Sequence, residues 1–237
     1  MPVQRILVLG GGFAGLWSAL GAARQLKELG IGPETARVSL VNRDAFHAIR
    51  VRNYEPDLHD LRLPLDEVLQ PVGVERIEAD VVGIDPVAHT VAVTTAAGPS
   101  HLPYDRLVFA LGSEVVKPPL NGLAEHGFDV DTYGGAVRLD RHLRSLPQRP
   151  ATDGLFTVVV VGAGLTGIEV AAEMPERLRA LTQGSPAAQT VRVLLLDHSP
   201  LLGSDMGESA RPLIAAALAD LGVETRLGGE VAAIDPA

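Results

Sequence analysis

The sequence contains no cysteine. That absence excludes disulfides, thiolate metal sites and every cysteine-based redox or nucleophilic mechanism. Positive charge is also in deficit, with 20 Lys and Arg against 29 Asp and Glu and a formal net charge of −9. Such a chain repels nucleic acid and anionic membrane surfaces, so no nucleic-acid partner is expected. No apolar run approaches the roughly 18 residues of a membrane-spanning helix. The N-terminus "MPVQRILVLG" lacks the basic, apolar and small-residue sections of a signal peptide in their required order. A cytoplasmic chain is therefore expected. The seven histidines show no metal-ligand spacing with a partner, so no metal is expected, and no Ser-His-Asp arrangement can be argued.

What the sequence does contain is one pattern written twice. "RILVLGGGFAGLWSAL" (5–20) and "TVVVVGAGLTGIEVAAE" (157–173) each join an apolar strand run to a glycine loop and then to a helical pattern. In the first, Leu16, Leu20, Ala23 and Leu26 recur at helical spacing, and "ARVSLVN" (36–42) follows as a second strand. In the second, "TVRVLLLD" follows, ending at Asp197. Both are β-α-β units, and 237 residues accommodate two domains. The expected fold is α/β with two Rossmann-like three-layer domains. A first domain spans 1–117, a linker with one helix near 134–146 spans 118–150, and a second domain occupies 151–237.

Between and after these units the pattern is less regular. "VERIEADVVGID" and "HTVAVTT", separated by a turn at Asp85 and Pro86, predict a hairpin or meander. "YDRLVFALGS" (104–113) predicts a buried strand ending in a glycine loop. Pro175 falls inside a helical pattern, which predicts a kink or early break. The last residues, "GEVAAIDPA", read as a strand, and Trp17 reads as a helix residue packing on the sheet.

Gly10, Gly12 and Gly15, with Phe13 and Ala14 between them, satisfy G-x-G-x-x-G. So do Gly162, Gly164 and Gly167, with Leu165 and Thr166. The first glycine makes the tight turn, the second lets a pyrophosphate approach the backbone, and the third lets helix and strand pack closely. The helix N-terminus then offers unpaired N–H groups and a positive dipole end. An acidic residue is expected at the end of the next strand to hold ribose hydroxyls. Asp197 fills that place, and the following His198, Ser199 and Pro200 bring no arginine for a 2′-phosphate, favouring NADH over NADPH. The first unit has Asn42, then Arg43 and Asp44. An amide accepts a ribose bond without charge assistance, so either the first site is weaker or Asp44 takes the role by a local shift.

Two dinucleotide units in one chain resemble the two-dinucleotide-binding flavoprotein reductases, the pyridine nucleotide-disulphide oxidoreductase-like family. The likeness covers nearly the whole chain. It implies FAD on the N-terminal unit and NAD(P)H on the second. Ala110-Leu111-Gly112 resembles the family's Ala-Thr-Gly motif of the flavin domain, with leucine in the middle. Val81 matches a position that packs on adenine, and the loop 46–54 matches a segment near the flavin ring. Arg50 and Arg52, which alternate, face flavin phosphates or an acidic substrate, or form a solvated surface pair.

"GGGFAGL" together with "GAGLTGIEVAAE" looks most like type II NADH dehydrogenases, which pass electrons to quinones. Glu169 matches a residue near the flavin and nicotinamide rings in that subgroup; the alternative is a carboxylate favoured by the helix dipole. The missing cysteines set aside the disulfide, thioredoxin and sulfide:quinone reductases of the family. A ferredoxin or rubredoxin reductase, or a nucleotide-responsive flavoprotein akin to apoptosis-inducing factor, stands as the alternative. The family's returning Gly-Asp motif is not found in these residues. The expectation is an N-terminal fragment of a longer enzyme, or a natural truncation, that holds FAD poorly and is itself inactive. Within the resemblance, a homodimer and peripheral contact with the inner face of a membrane through C-terminal sequence are both allowed.

Overall fold

The computed structural model describes residues 2–184 and 190–235. They form two compact units, one comprising residues up to Ile49 with His59–Glu114, the other Arg50–Leu58 with Val115 onward. The first unit runs β1 (Gln4–Leu9), α1 (Phe13–Glu28), β2 (Ala36–Asn42), β3 (Phe46–Ala48), β4 (Arg62–Pro64), α2 (Leu65–Leu69), β5 (Glu75–Glu78), β6 (Asp80–Asp85), β7 (Thr90–Thr95), β8 (Gly98–Pro103) and β9 (Arg106–Phe109). Its main sheet has the order β5-β2-β1-β9, all parallel. β1 is the central strand and is buried on both faces, as parallel strands must be when both faces are covered. Leu7 and Leu9 point to a cluster with Val41, Val91, Val93 and Tyr104, while Val8 points to a cluster with Val38, Leu40, Leu65 and Leu69. The second cluster also receives Leu16, Leu20, Ala23 and Leu26, so the helical spacing in the sequence is the inward stripe of α1. The first cluster is closed by the antiparallel meander β6-β7-β8. The unit thus has three layers: helices, parallel sheet and meander.

The second unit runs α3 (Leu123–His126), α4 (Tyr133–Ser145), β10 (Thr157–Val161), α5 (Leu165–Leu181), β11 (Arg192–Asp197), α6 (Arg211–Leu221) and β12 (Val223–Leu227). Its sheet β10-β11-β12 is parallel. Val160, Val193, Leu195 and Val223 meet Ala171, Met174 and Leu178 of α5 and Leu143 of α4 in one core cluster. Val159 and Val161, on the opposite face of β10, are largely exposed.

Four expectations are corrected. Trp17 does not pack on the sheet; it is 69% exposed. The inward stripe of α1 is already set by Leu16, Ala19 and Leu20, and the residue after Leu16 lies about 100° round the helix from it. The 104–113 strand is shorter, Arg106–Phe109, and is not buried, because β9 pairs only with β1 and leaves its other side at the sheet edge. The helix does not break at Pro175 but continues to Leu181. Proline removes the bond to the Ala171 carbonyl, yet Ala171, Met174 and Leu178 are fully buried on either side, and their packing holds the helix through the defect. Finally, residues 228–235 form no strand, and the last two residues of that expected strand, 236 and 237, lie outside the described residues. They are held by single backbone bonds, Gly228 to Ser199, Gly229 to Asp197 and Ile234 to Asn121, rather than by a strand ladder.

Candidate functional site

In each unit the glycine loop lies at the carboxyl end of the first parallel strand, where open α/β sheets place their ligand crevice. In the first unit the Gly10 N–H donates to the Val41 carbonyl, carrying the β1–β2 pairing one step past the strand. Gly10 then turns with φ 102°, a conformation that side chains rarely adopt. A Cβ on Gly10 would strike the Ala110 carbonyl, and a Cβ on Gly15 would strike the Gly10 carbonyl. The missing side chain of Gly10 lets the residues after β9 come close, and that of Gly15 lets the start of α1 approach the end of β1. Gly12 is different, because a Cβ there would meet nothing within 4 Å. Its backbone faces open space at the N-terminus of α1, where no side chain caps the helix.

The second unit repeats this geometry. The Gly162 N–H donates to the Leu196 carbonyl at 2.8 Å, as Gly10 does to Val41. Gly162 has φ 105°, a Cβ on Gly167 would strike the Gly162 carbonyl, and Gly164 faces open space at the start of α5. Leu165 and Thr166 are exposed on that first turn. Three glycines thus have three distinct reasons, shared by both loops except that a Cβ on Gly162, unlike one on Gly10, would meet nothing within 4 Å, so Gly162 is required by its φ alone.

The strand-end residues also correspond. Asn42 Oδ1 accepts from the Gly11 N–H at 2.8 Å, and Asp197 Oδ2 accepts from the Ala163 N–H. Asp197 Oδ1 accepts from the Ser199 N–H at 2.7 Å. The Ala163 bond above all, with the Ser199 bond and nearby His198, holds the Asp197 carboxyl below its usual range. In the first unit the amide spends its other end differently. Asn42 Nδ2 donates to the Asp44 carbonyl at 3.0 Å, and to Asp44 Oδ1 and the Phe46 carbonyl at 3.2 Å. Asp44 is therefore held by Asn42, by the Phe46 N–H and by Arg62. A carboxylate at position 42 could not make the donor bonds, which accounts for the amide at this place.

Other residues singled out from the sequence fall in varied settings. Ala110 lies against the first loop, its N–H bonded to the Leu9 carbonyl, and Gly112 follows with φ 76°. Val81 pairs with Val93 in the meander and packs on the first-unit core. Arg43 pairs with Glu114 at 3.2 Å on the surface. Arg50 and Arg52 do not alternate along a strand but sit in a single helical turn. Arg50 pairs with Asp131, and Arg52 bonds both oxygens of Glu55 at 2.5 and 2.6 Å. Glu169 is half-buried in α5. Burial first, then the Glu169 carboxylate, push the Tyr54 hydroxyl above its usual value, which places these two groups near one another in the second unit.

The sequence reading missed two sets of residues. His47 is buried, with Nδ1 2.8 Å from the Gly11 carbonyl and the Phe13 ring edge-on at 4.8 Å. A carbonyl only accepts, so the proton sits on Nδ1 and the ring braces the loop from behind. The second set flanks the Gly162 turn. A cavity of about 510 Å³ is bounded by Gly162, Asp197 and His198, by Pro118–Leu120, and by Gly229–Val231. The rule that loops following parallel strands share one crevice could have found Gly229 and Glu230, since they follow β12. Nothing in the spacing marked Pro118.

Residues 4–237 match the family described as pyridine nucleotide-disulphide oxidoreductase. The chain belongs to this family. Among curated members, it is 58% identical over 234 residues to an NADH dehydrogenase-like protein of Mycobacterium tuberculosis, covering 99% of this chain and 58% of that protein. It is 27% identical over 245 residues to the type II NADH:quinone oxidoreductase of Staphylococcus haemolyticus, again covering 58% of that protein. The solved structure of NDH2 from Plasmodium falciparum in complex with NADH superposes with a TM-score of 0.83 over 98% of this chain and 49% of that one, at 15% identity. This pyridine nucleotide-disulphide oxidoreductase chain therefore spans a little over half the length of these curated relatives. Among its described residues no helix is long and apolar enough to cross a membrane, and no group of three or more His, Asp or Glu could hold a metal.

Proposed function

We propose that this chain forms the dinucleotide-binding part of an FAD-dependent oxidoreductase that takes a hydride from NADH and passes electrons to a quinone. The observation that carries this reading is the duplication: two strand–glycine–helix turns with the same φ, the same close carbonyl approach and the same open second glycine. The open backbone at Gly12 and at Gly164 is the opening that a diphosphate needs, so the residues present fit both cofactors. FAD, when bound, supplies the redox chemistry. The chain's part is binding and orientation. Gly10, Gly12, Phe13, Ala14 and Gly15 hold the FAD diphosphate, with Asn42, Arg43, Val81, Ala110 and Gly112 around its adenosine and ribityl ends. Gly162, Gly164, Leu165, Thr166 and Gly167 hold the NADH diphosphate. Asp197 has a carboxylate for the adenosine ribose, and Glu230 on the same cavity adds a second negative charge against a 2′-phosphate. Glu169, beside Tyr54, orients the reacting rings or exchanges protons with them.

The relatives named as NADH dehydrogenase-like and as type II NADH:quinone oxidoreductase support the donor and favour the acceptor. The test uses the complete product of the gene, loaded with FAD. NADH is added without oxygen while the flavin absorbance is followed, and a soluble quinone or a [2Fe–2S] ferredoxin is then supplied. Rapid bleaching by NADH, with rapid recovery on quinone and none on ferredoxin, is expected. Recovery on ferredoxin alone would replace the acceptor. Slow bleaching with a persistent reduced-flavin–NAD complex would replace the enzyme reading with a nucleotide-responsive one. Failure to bind FAD at all would remove the flavoprotein reading.

A further inference from the structure

The second unit has another cavity, of about 400 Å³, lined by residues of α4, the turn after it, and α3 with the loop that follows it. Arg138, Arg141, His142 and Ser145 follow one another at helical spacing on one face of α4, and Arg149, just past the turn that follows α4, folds back beside them. The opposite side, Ala136 and Leu143 of α4 with Leu146 of the turn after it, is buried in the core.

Charge is unevenly distributed around this helix. Its only acid, Asp140, is taken by Arg144 at 2.7 Å and by the buried Arg177 at 3.1 Å. Asp129, whose carboxyl feels Arg138, is ion-paired to Lys117 at 2.9 Å. Arg138, Arg141 and Arg149 form no ion pair with any described carboxylate, in a chain of net charge −9. Two of the three are already held in place. Arg138 donates to the Gly127 carbonyl at 2.9 Å and lies over the Phe128 ring, 5.4 Å from its centroid. Arg149 donates to Ser145 Oγ and sits 3.3 Å from His142 Nδ1. Burial, with Arg149 beside it, pushes His142 below its usual value, so the positive charge of the cavity resides on the guanidiniums.

We propose that this cavity binds an organic phosphate, with Arg138, Arg141 and Arg149 holding the phosphate group. Guanidinium forks match phosphate oxygens in pairs, and forks held before binding lose less freedom when the anion enters. Glu125 on the wall repels a bare anion but accepts from hydroxyl or amino groups, which selects a phosphate carried on a polar organic body. The volume suits a small metabolite. This inference does not rest on the dinucleotide reading.

The test is calorimetric titration of the purified protein with fructose 1,6-bisphosphate, a probe that lacks the adenosine the glycine loops would recognise. Saturable binding is expected, weakening as salt rises. Arg141→Ala, which removes no hydrogen bond or ion pair among the described residues, weakens it about tenfold or more, and Arg141→Lys weakens it less. The triple variant Arg138→Ala/Arg141→Ala/Arg149→Ala abolishes it with an unchanged circular dichroism spectrum. Absence of saturable heat overturns the proposal. So does affinity that survives Arg141→Ala unchanged, a result that stands even if the triple variant fails to fold.

Discussion

Gly12 and Gly15 differ by three positions and by opposite consequences. A Cβ on Gly15 meets a backbone carbonyl that cannot move aside, whereas a Cβ on Gly12 meets nothing within 4 Å. Gly15→Ala is therefore expected to destabilise the first unit by about 3 kcal/mol, the upper end for overpacking. Gly12→Val is expected to cost less, about 1 kcal/mol for replacing a glycine N-cap, while obstructing the loop to a diphosphate. The same contrast is expected for Gly167→Ala and Gly164→Val, read by chemical denaturation and by nucleotide titration. Asp197 makes a second residue-level prediction. Its carboxyl titrates below the usual 3.8 in the folded protein. The stability it contributes is therefore fully present above that value and is lost as pH falls through the lower folded value. Thermal midpoints of the protein and of Asp197→Asn measured from pH 6 down to pH 2 should differ most at pH 6 and converge in acid. A constant gap would show that the carboxylate charge contributes nothing.

At the scale of the elements, much of the molecule was legible from spacing. The inward stripe of α1, the strand 36–42, the helix near 134–146 and both glycine turns follow from local period and from glycine's special backbone. The errors arose where tertiary neighbours decide. Pro175 breaks an isolated helix, but α5 is held by burial on both sides of it. "YDRLVFALGS" has the composition of a central strand, but no sequence feature states how many neighbours a strand has. The segment Arg50–Leu58 belongs by packing to the second unit, and its anchors are distant in sequence: Arg50 to Asp131, and Arg177 Nη1 to the Tyr54 carbonyl at 3.3 Å. Arg177→Met removes that bond and the bond to Asp140, at an expected cost of about 2–3 kcal/mol. Faster amide hydrogen exchange across residues 50–58 is the accompanying sign, and unchanged exchange there would mean that Arg177 does not hold the segment. α4 offers a simpler test. Thr132 Oγ1 accepts from the Gly135 N–H at 3.0 Å as its N-cap, so Thr132→Ala should cost about 1 kcal/mol in urea unfolding.

For the whole molecule, the account rests on one structural theme used twice, once in each compact unit, in a chain that spans 58% of its M. tuberculosis relative. Family membership was readable because the motif combines spacing with context, strand before and helix after. The anchoring of Asn42 to Asp44 and the bracing by His47 were not, since they depend on side-chain bonds that no spacing announces. The most direct measurement follows the backbone amides by nuclear magnetic resonance during an NADH titration. Saturable shifts at Ala163, Gly164, Leu165 and Thr166, abolished by Gly164→Val in a protein that stays folded, are the predicted result. NADH that leaves these four amides unshifted at saturation, or that binds equally well to Gly164→Val, would contradict the claim that this turn grips a diphosphate.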